Sequence, residues 1–239
     1  MKSKILVLAF LAMLALPVAS WADSYTINVC NSGLCNGNAS GSPQPMGTIT
    51  VTQGTNSLTF TFTMASYPGN NVQYGIGSQG GGDTIGMQLT GISPSAVTSV
   101  TNVTANNFGG GTTNTGWTVD TGGTHLDGFG DWNLGVNNAS LGTGNPTDSL
   151  VSLSFTLNAT GITLADITFN SPDSNCDPTL QCYFAMHINN IDTAGGGTSN
   201  WSTGYGGATK NASTVPEPSS LLLLGTGLLG GARFIRRRK

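Results

Sequence analysis

Basic residues are scarce in the part of the chain that lies between its two ends. Residues 23–214 hold ten aspartates and a single base, Lys210, with no arginine and no glutamate, so their formal net charge is −9. The other cations lie in the first four and the last seven residues, which brings the whole chain to −3. Recognition of a phosphate backbone needs a basic face. This deficit excludes nucleic acid as a partner and predicts an acidic, soluble body that attracts cations.

Residues for the common catalytic chemistries are also sparse. Histidine occurs only at His125 and His187, and the sequence has neither a nucleophile elbow nor a Walker-type loop. Two glycine patterns, at 75–80 and 225–230, match a dinucleotide fingerprint, but neither opens a helix within a βαβ unit. The many serines and aspartates allow a triad or a carboxylate pair to be drawn in many ways, so they point to none. We therefore expect no enzyme and no cofactor, with a polysaccharide-modifying hydrolase as an alternative.

The first 22 residues are typical of a secretory signal peptide. Lys2 and Lys4 precede an apolar run over 5–16 that is short for a membrane span, and small residues at Ser20 and Ala22 suit a cleavage site. The sequence predicts export by the Sec machinery and cleavage by signal peptidase, so that Asp23 becomes the first mature residue. An uncleaved N-terminal anchor is the alternative.

The four cysteines all lie in the exported part, at Cys30, Cys35, Cys176 and Cys182. An even number in an oxidising compartment predicts two disulfides. Three pairings are possible, and the close spacings favour Cys30–Cys35 and Cys176–Cys182, each worth about 2 kcal/mol from loop closure. A zinc site is the alternative, but the spacings differ from those of zinc knuckles and no histidine is near.

Residues 23–194 carry the pattern of short strands with one buried face. Apolar residues alternate with hydroxyl residues over 58–64 and again over 151–157, and weaker strands are predicted at 48–53, 85–90, 97–103, 116–119, 132–136, 162–169 and 182–189. Turns rich in glycine, asparagine, proline and aspartate separate them. The pattern predicts an all-β fold, an antiparallel β-sandwich of jelly-roll type, with a β-solenoid as the alternative. Alternation in the last of these strands places His187 on the wetter face. Residues 195–214, rich in glycine, serine and threonine, are predicted to be a flexible linker.

One loop has the composition of a cation site. Asp120, Asp127 and Asp131 fall within twelve residues and are separated by glycines, so their carboxylates could surround a calcium ion. The EF-hand spacing is missing. The competing interpretation is a tight polar turn with Phe129 and Trp132 packed inward.

Tryptophan is the residue type that would reveal a sugar-binding face. Trp117, Trp132 and Trp201 could stack on sugar rings if their side chains are exposed, whereas most tryptophans of a sandwich lie in its core. A polysaccharide-binding module is therefore a second alternative function.

The last 25 residues, 215–239, consist of three physically different blocks. Val215, Pro216, Glu217 and Pro218 are extended because proline fixes φ and disfavours helix in the residue before it. Residues 219–232 are uncharged and rich in leucine. Five cations end the segment, namely Arg233, Arg236, Arg237, Arg238 and Lys239. An apolar segment followed by a basic cluster predicts a single transmembrane helix with a cytoplasmic C-terminus, although the 17 residues of 219–235 are few for a span.

These three blocks, in this order, resemble the PEP-CTERM sorting signal of Gram-negative bacteria. The resemblance covers about a tenth of the chain. It implies an exported protein that is held transiently in the inner membrane and processed by an exosortase, in a family associated with exopolysaccharide and biofilm production. A plain C-terminal anchor is the alternative, but it would not need Pro-Glu-Pro.

The segments together predict a secreted structural or adhesive protein of the cell envelope or extracellular matrix. The body would be delivered to the cell surface or matrix after anchoring and processing, where an exopolysaccharide is a further potential partner.

Overall fold

The computed structural model describes residues 21–30, 45–67, 71–77, 84–141, 146–170, 181–193 and 201–211. Residues Ala22–Ala212 form one compact unit, and the two chain ends, 1–21 and 213–239, are assigned to a second unit. The described residues form strands and three short 3-10 turns at Pro94–Ala96, Pro146–Asp148 and Leu164–Asp166, without an α-helix. The predicted all-β class is therefore confirmed.

Fifteen strands make up the described part of the body. The first eight are β1 (Ala22–Cys30), β2 (Gly47–Gly54), β3 (Ser57–Met64), β4 (Ser66–Tyr67), β5 (Val72–Ile76), β6 (Ile85–Leu89), β7 (Ser99–Asn107) and β8 (Trp117–Asp120). The remaining seven are β9 (Thr124–Leu126), β10 (Gly130–Trp132), β11 (Leu134–Asn138), β12 (Leu150–Asn158), β13 (Ile167–Thr168), β14 (Cys182–Asp192) and β15 (Trp201–Lys210).

The strand pairings are antiparallel throughout the described residues. The main sheet runs in the order β4-β5-β12-β3-β2-β1-β15-β14-β6-β11-β8, while β7 pairs with β12 and β13 with β6. Strand β5 pairs with β14 along its length and with β12 through Ile76 and Leu150, so the sheet turns back on itself. This arrangement gives two apolar faces that meet in a sandwich-like core.

Alternation places the large apolar residues of β3 and β12 inside, as the sequence predicts. Phe60 pairs with Phe155 and Phe62 with Leu153 across the two strands, and all four are buried. The Phe60 and Phe155 rings stack with centroids 5.0 Å apart, and Phe184 of β14 meets both Phe60 and Phe62 edge-on. Such contacts add about 0.5–1.5 kcal/mol per pair beyond the burial of their area.

A smaller apolar cluster lies under the β9–β10 hairpin. Leu126, Phe129 and Trp132 of the hairpin pack there against Ala185 of β14 and Tyr205 of β15. Strand β14 is therefore covered on both faces, which explains why nearly all of its residues are buried.

The structure corrects the predicted linker over 195–214, because residues 201–210 are β15, in the middle of the sheet between β14 and β1. The body thus extends beyond residue 194. Glycine is needed in β15 for close packing: a Cβ on Gly206 would collide with Ile188 and come within 3.1 Å of Met46 Cε. The strand predicted at 162–169 is also wrong in length, since only Ile167–Thr168 is extended.

Among the described residues, no helix is long and apolar enough to cross a membrane. The predicted signal peptide, 1–22, and the predicted transmembrane segment, 219–235, lie outside them except for residues 21 and 22. These two assignments and the jelly-roll topology stay predictions.

Candidate functional site

A polar cleft of about 560 Å³ opens beside the β9–β10 hairpin. Its walls include Gln88, Thr124, His125, Asp131, Trp132 and Asn170. These residues come from β6, from the hairpin, and from the segment that follows β13, so three separate parts of the chain build the cleft. Its volume lies within the range of known ligand clefts, but its walls are more polar than those of most such clefts.

The hairpin owes its position to glycine on the strand beneath it. A Cβ on Gly86 of β6 would lie 2.7 Å from Trp132 Cγ and 3.0 Å from Leu126 Cδ1, so only glycine allows the hairpin to pack this closely. The turn closes with a hydrogen bond of 2.8 Å from the Phe129 amide to the Leu126 carbonyl and places Gly128 at a φ of 79°. Alternation then points Trp132 inward and Asp131 outward.

His125 lies on the outer face of β9 between two carboxylates. Its Nδ1 is 2.7 Å from Asp131 Oδ1, and its Nε2 is 3.6 Å from Asp127 Oδ1. The side chains are well exposed, at 60% for His125 and 89% for Asp131, so the pair contributes at most about 1 kcal/mol to stability. Its effect is to fix the orientation of the imidazole ring at the cleft.

The three aspartates of the predicted calcium loop do not meet. Asp127 and Asp131 face His125, whereas Asp120 at the end of β8 accepts a hydrogen bond of 2.8 Å from the Gly122 amide. The described part of the chain contains no group of three or more acidic, histidine or cysteine side chains able to hold a metal ion. The structure corresponds instead to the competing interpretation, a polar turn with Phe129 and Trp132 packed inward.

His187 is buried, contrary to the wetter face expected for it, because β14 is covered on both sides. Its Nε2 shares a hydrogen bond of 2.5 Å with Thr203 Oγ1, and its ring meets that of Tyr205 edge-on at 5.2 Å. Within the described residues, Nδ1 is buried without a hydrogen-bond partner. Burial lowers the pKa of His187 to about 4, since the charged imidazolium would lose its hydration there.

A second buried hydrogen bond lies next to His187. Asn189 donates a hydrogen bond of 2.6 Å from Nδ2 to Ser149 Oγ. A Cβ on Gly77 would lie 2.7 Å from both His187 Nδ1 and Asn189 Nδ2, so glycine makes room for these side chains. The hydrogen bonds of His187 and Asn189 join β14 to β15 and to Ser149, the residue before β12. Their role is structural.

The predicted disulfide residues are only partly described. Cys182 is buried and disulfide-bonded, whereas Cys35 and Cys176 lie outside the described residues, as does the side chain of Cys30. The pairings Cys30–Cys35 and Cys176–Cys182 stay predictions.

Of the three candidate tryptophans, the two whose side chains are described, Trp117 and Trp132, do not present an exposed stacking face. Trp132 is 1% exposed. Trp117 is partly buried against the main core and donates a hydrogen bond of 2.7 Å from Nε1 to the Thr113 carbonyl. The side chain of Trp201 lies outside the described residues. Sugar stacking on Trp117 and Trp132 is thus disfavoured, and the cleft is a better-formed candidate.

The two ends of the body are fastened to each other. The Asn211 amide donates to the Ser24 carbonyl at 2.9 Å, and its side chain donates to Ser24 Oγ at 2.9 Å and accepts from Thr26 Oγ1 at 2.8 Å. Lys210 forms an ion pair with Asp23. The first predicted mature residue and the only base of the body therefore hold β1 and β15 together.

The residues of the predicted sorting signal lie outside the described residues, namely Val215, Pro216, Glu217, Pro218, Arg233, Arg236, Arg237 and Arg238. Comparison with known proteins found neither a curated protein nor a solved structure with significant similarity to the chain. The family model described as the PEP-CTERM protein-sorting motif matches residues 214–239. The match confirms the resemblance read from the three blocks. The chain therefore carries a PEP-CTERM sorting motif, which indicates an exported protein that is anchored in a membrane and then processed by an exosortase.

Proposed function

We propose that the protein is a structural or adhesive component of the cell surface or extracellular matrix, delivered there through its sorting motif and without catalytic activity. The motif at 214–239 carries the proposal. The motif begins three residues after Asn211, which is hydrogen-bonded to Ser24 of β1. The sorting motif therefore follows the folded body with a connection of only a few residues.

The charge of the body bears on its solubility and on its partners. With −9 over residues 23–214, the body stays soluble after release from the membrane and repels other anionic surfaces. The proposed route uses the Sec machinery and signal peptidase at the N-terminus, transient residence in the inner membrane, and an exosortase at the C-terminus. An association with exopolysaccharide in a biofilm belongs to the same proposal.

The environments of the two histidines support a role without catalysis. His187 is buried and bonded to Thr203, and His125 is oriented by Asp131 and Asp127. His187 does have a hydroxyl beside it, Thr203 Oγ1, but its Nδ1 has no hydrogen-bond partner among the described residues, so the third group that orients the base in a triad is missing there. The hydrolase alternative needs two carboxylates facing each other across a substrate, whereas Asp127 and Asp131 both face an imidazole.

Intact mass and terminal peptides of the protein from its native host test the proposal. We expect an N-terminus at Asp23 and a C-terminus within or just after 215–218. Replacement of Pro216, Glu217 and Pro218 by alanine should leave full-length protein in the membrane fraction, whereas Ser213→Ala, which precedes the matched motif, should be processed normally. A wild-type protein that still carries 221–239 at its final location would show that the motif is only an anchor.

A further inference from the structure

We propose that the cleft beside the β9–β10 hairpin binds an uncharged glycan, a short run of hexose units, through Gln88, Asp131 and Asn170. The inference rests on the proposed function in one respect, since it gives the adhesive role a ligand class. It arises from hydrogen-bonding groups that the body leaves unused at the cleft.

Each of the three side chains uses one polar atom within the protein and leaves the other for a ligand. Gln88 Oε1 accepts the Asn133 amide at 3.3 Å, and Asn170 Nδ2 donates to the Asp131 carbonyl at 2.5 Å. Asp131 Oδ1 is taken by His125 Nδ1. In the described structure, Gln88 Nε2, Asn170 Oδ1 and Asp131 Oδ2 are therefore free.

The unused atoms match hydroxyl groups. Gln88 Nε2 is a donor, whereas Asn170 Oδ1 and Asp131 Oδ2 are acceptors, and a hydroxyl can both donate and accept. A ring that carries several hydroxyls can satisfy such a mixed set, which a purely apolar molecule or a simple anion cannot. The protein-side bonds of Gln88 and Asn170 favour one orientation of each amide, which removes part of the ordering cost of binding, whereas the exposed Asp131 carboxylate is held only weakly.

Two residues of the cleft wall carry further polar atoms without a partner among the described residues. These are Thr124 Oγ1 and Trp132 Nε1, both buried. Buried polar groups without partners are uncommon in native proteins and call for an explanation. Rotation of the Thr124 hydroxyl toward the cleft would give it a ligand hydroxyl as partner.

The distribution of charge selects an uncharged glycan over an acidic one. The single base of residues 23–214, Lys210, is engaged with Asp23 at the β1–β15 pair. At the cleft, His125 is already oriented by Asp131 and Asp127. A uronic acid would therefore find no free cation and would approach a body of charge −9. Acidic polysaccharides therefore bind this site more weakly than neutral ones.

The test is a titration of the full-length protein, purified in a detergent without a sugar headgroup. The probes are four neutral hexasaccharides (β-glucan, α-glucan, mannan and galactan) and a polymannuronate hexamer, with calorimetry as the readout. We expect at least one neutral probe to bind with a Kd of roughly 1 mM or tighter, and the mannuronate to bind at least about ten times more weakly.

Variants locate the binding. Gln88→Glu keeps an oxygen for the Asn133 amide but replaces the free donor by a negatively charged acceptor, so it should weaken binding about 3- to 10-fold, as should Asn170→Ala. The control Asn106→Ala removes an exposed amide on β7, away from the cleft, and should bind like the wild type. Circular dichroism verifies that each variant is folded.

Three outcomes would overturn the proposal. They are a lack of saturable binding for all four neutral probes, equal binding of the mannuronate, and unchanged affinity in folded Gln88→Glu protein. Because the titration uses unprocessed protein, a failure here is distinct from a failure of sorting, which appears only in the terminal peptides from the host.

Discussion

The burial of His187 predicts that the protein loses stability in mild acid. The imidazole has a folded pKa of about 4, compared with about 6.5 in an unfolded chain. Between these two pH values the imidazole of His187 is protonated in the unfolded state but not in the folded state. The free energy of unfolding therefore falls as the pH is lowered. Stability from this residue is complete above pH 6.5 and is lost as the pH falls toward 4. The difference of 2.5 pH units corresponds to about 3 kcal/mol.

The neighbours of His187 explain why its pKa is low in the folded state. Thr203 and Tyr205 are neutral, and Nδ1 has no acceptor in the described residues. A loss of about 3 kcal/mol is a large part of the 5–15 kcal/mol that typically stabilise a folded domain. It should be visible as a lower urea midpoint at nearly constant slope.

Urea unfolding, followed by tryptophan fluorescence at several pH values from 7 to 4.5, measures this effect. His187→Gln keeps a polar partner for Thr203 but does not titrate, so it should be less stable at pH 7 and lose less stability on acidification. The exposed His125 provides the matched variant, His125→Gln, which leaves His187 in place and should still lose stability between pH 7 and 4.5. If wild type and His187→Gln lose equal stability between pH 7 and 4.5, the reasoning from burial is wrong.

Three further predictions concern packing. Gly206→Ala should destabilise the body by about 1–3 kcal/mol in thermal unfolding, because its Cβ would overlap Ile188; an unchanged melting temperature would contradict the packing at β15. Asn211→Ala removes the side-chain hydrogen bonds to Ser24 and Thr26 and should cost about 1–2 kcal/mol, with faster amide exchange at the end of β15; exchange at wild-type rates would show that this side chain does not hold the strand. Phe155→Ala should cost about 3–5 kcal/mol in urea unfolding, since the ring is fully buried; a loss below 1 kcal/mol would mean that the core is packed differently.

The strands that can be predicted from the sequence are those in which apolar and polar residues alternate within the strand itself. In β3 and β12, apolar and hydroxyl residues alternate strictly, and both strands lie where the pattern predicts, with Thr59 and Thr156 hydrogen-bonded on the outer face at 3.0 Å. Strand β15 has no such pattern. Its glycines suggest a linker until β14 and β1 lie on either side and leave no space for a Cβ at Gly206. Only the tertiary structure shows that glycine is required there.

The candidate site likewise contains residues that the sequence predicts and residues that only the tertiary structure brings to it. His125 and Asp131 are close in sequence, and a hairpin brings them together, so a local reading finds the loop but leaves a calcium site and a polar turn as competing interpretations of it. Gln88 and Asn170 reach the cleft through the pairing of β6 with β13 and through a hydrogen bond to the hairpin. Neither residue has a local signal, because an isolated glutamine or asparagine in a polar chain is unremarkable. The burial of His187 also depends on the elements that cover β14. The sequence of β14 alone does not show them.

The position of β15 between β14 and β1 fixes the order in which the exported chain can fold. Strand β1 emerges first during translocation, and its partner on one side is about 180 residues away in sequence. Contacts with such separation form slowly, since the loop between them must close first. Until residues 201–210 have crossed the membrane, β1 and β14 each present an open edge that favours association with other chains. The sheet can therefore be completed only once residues 201–210 have crossed the membrane, and a chain shortened before residue 201 would leave both edges open for its whole lifetime.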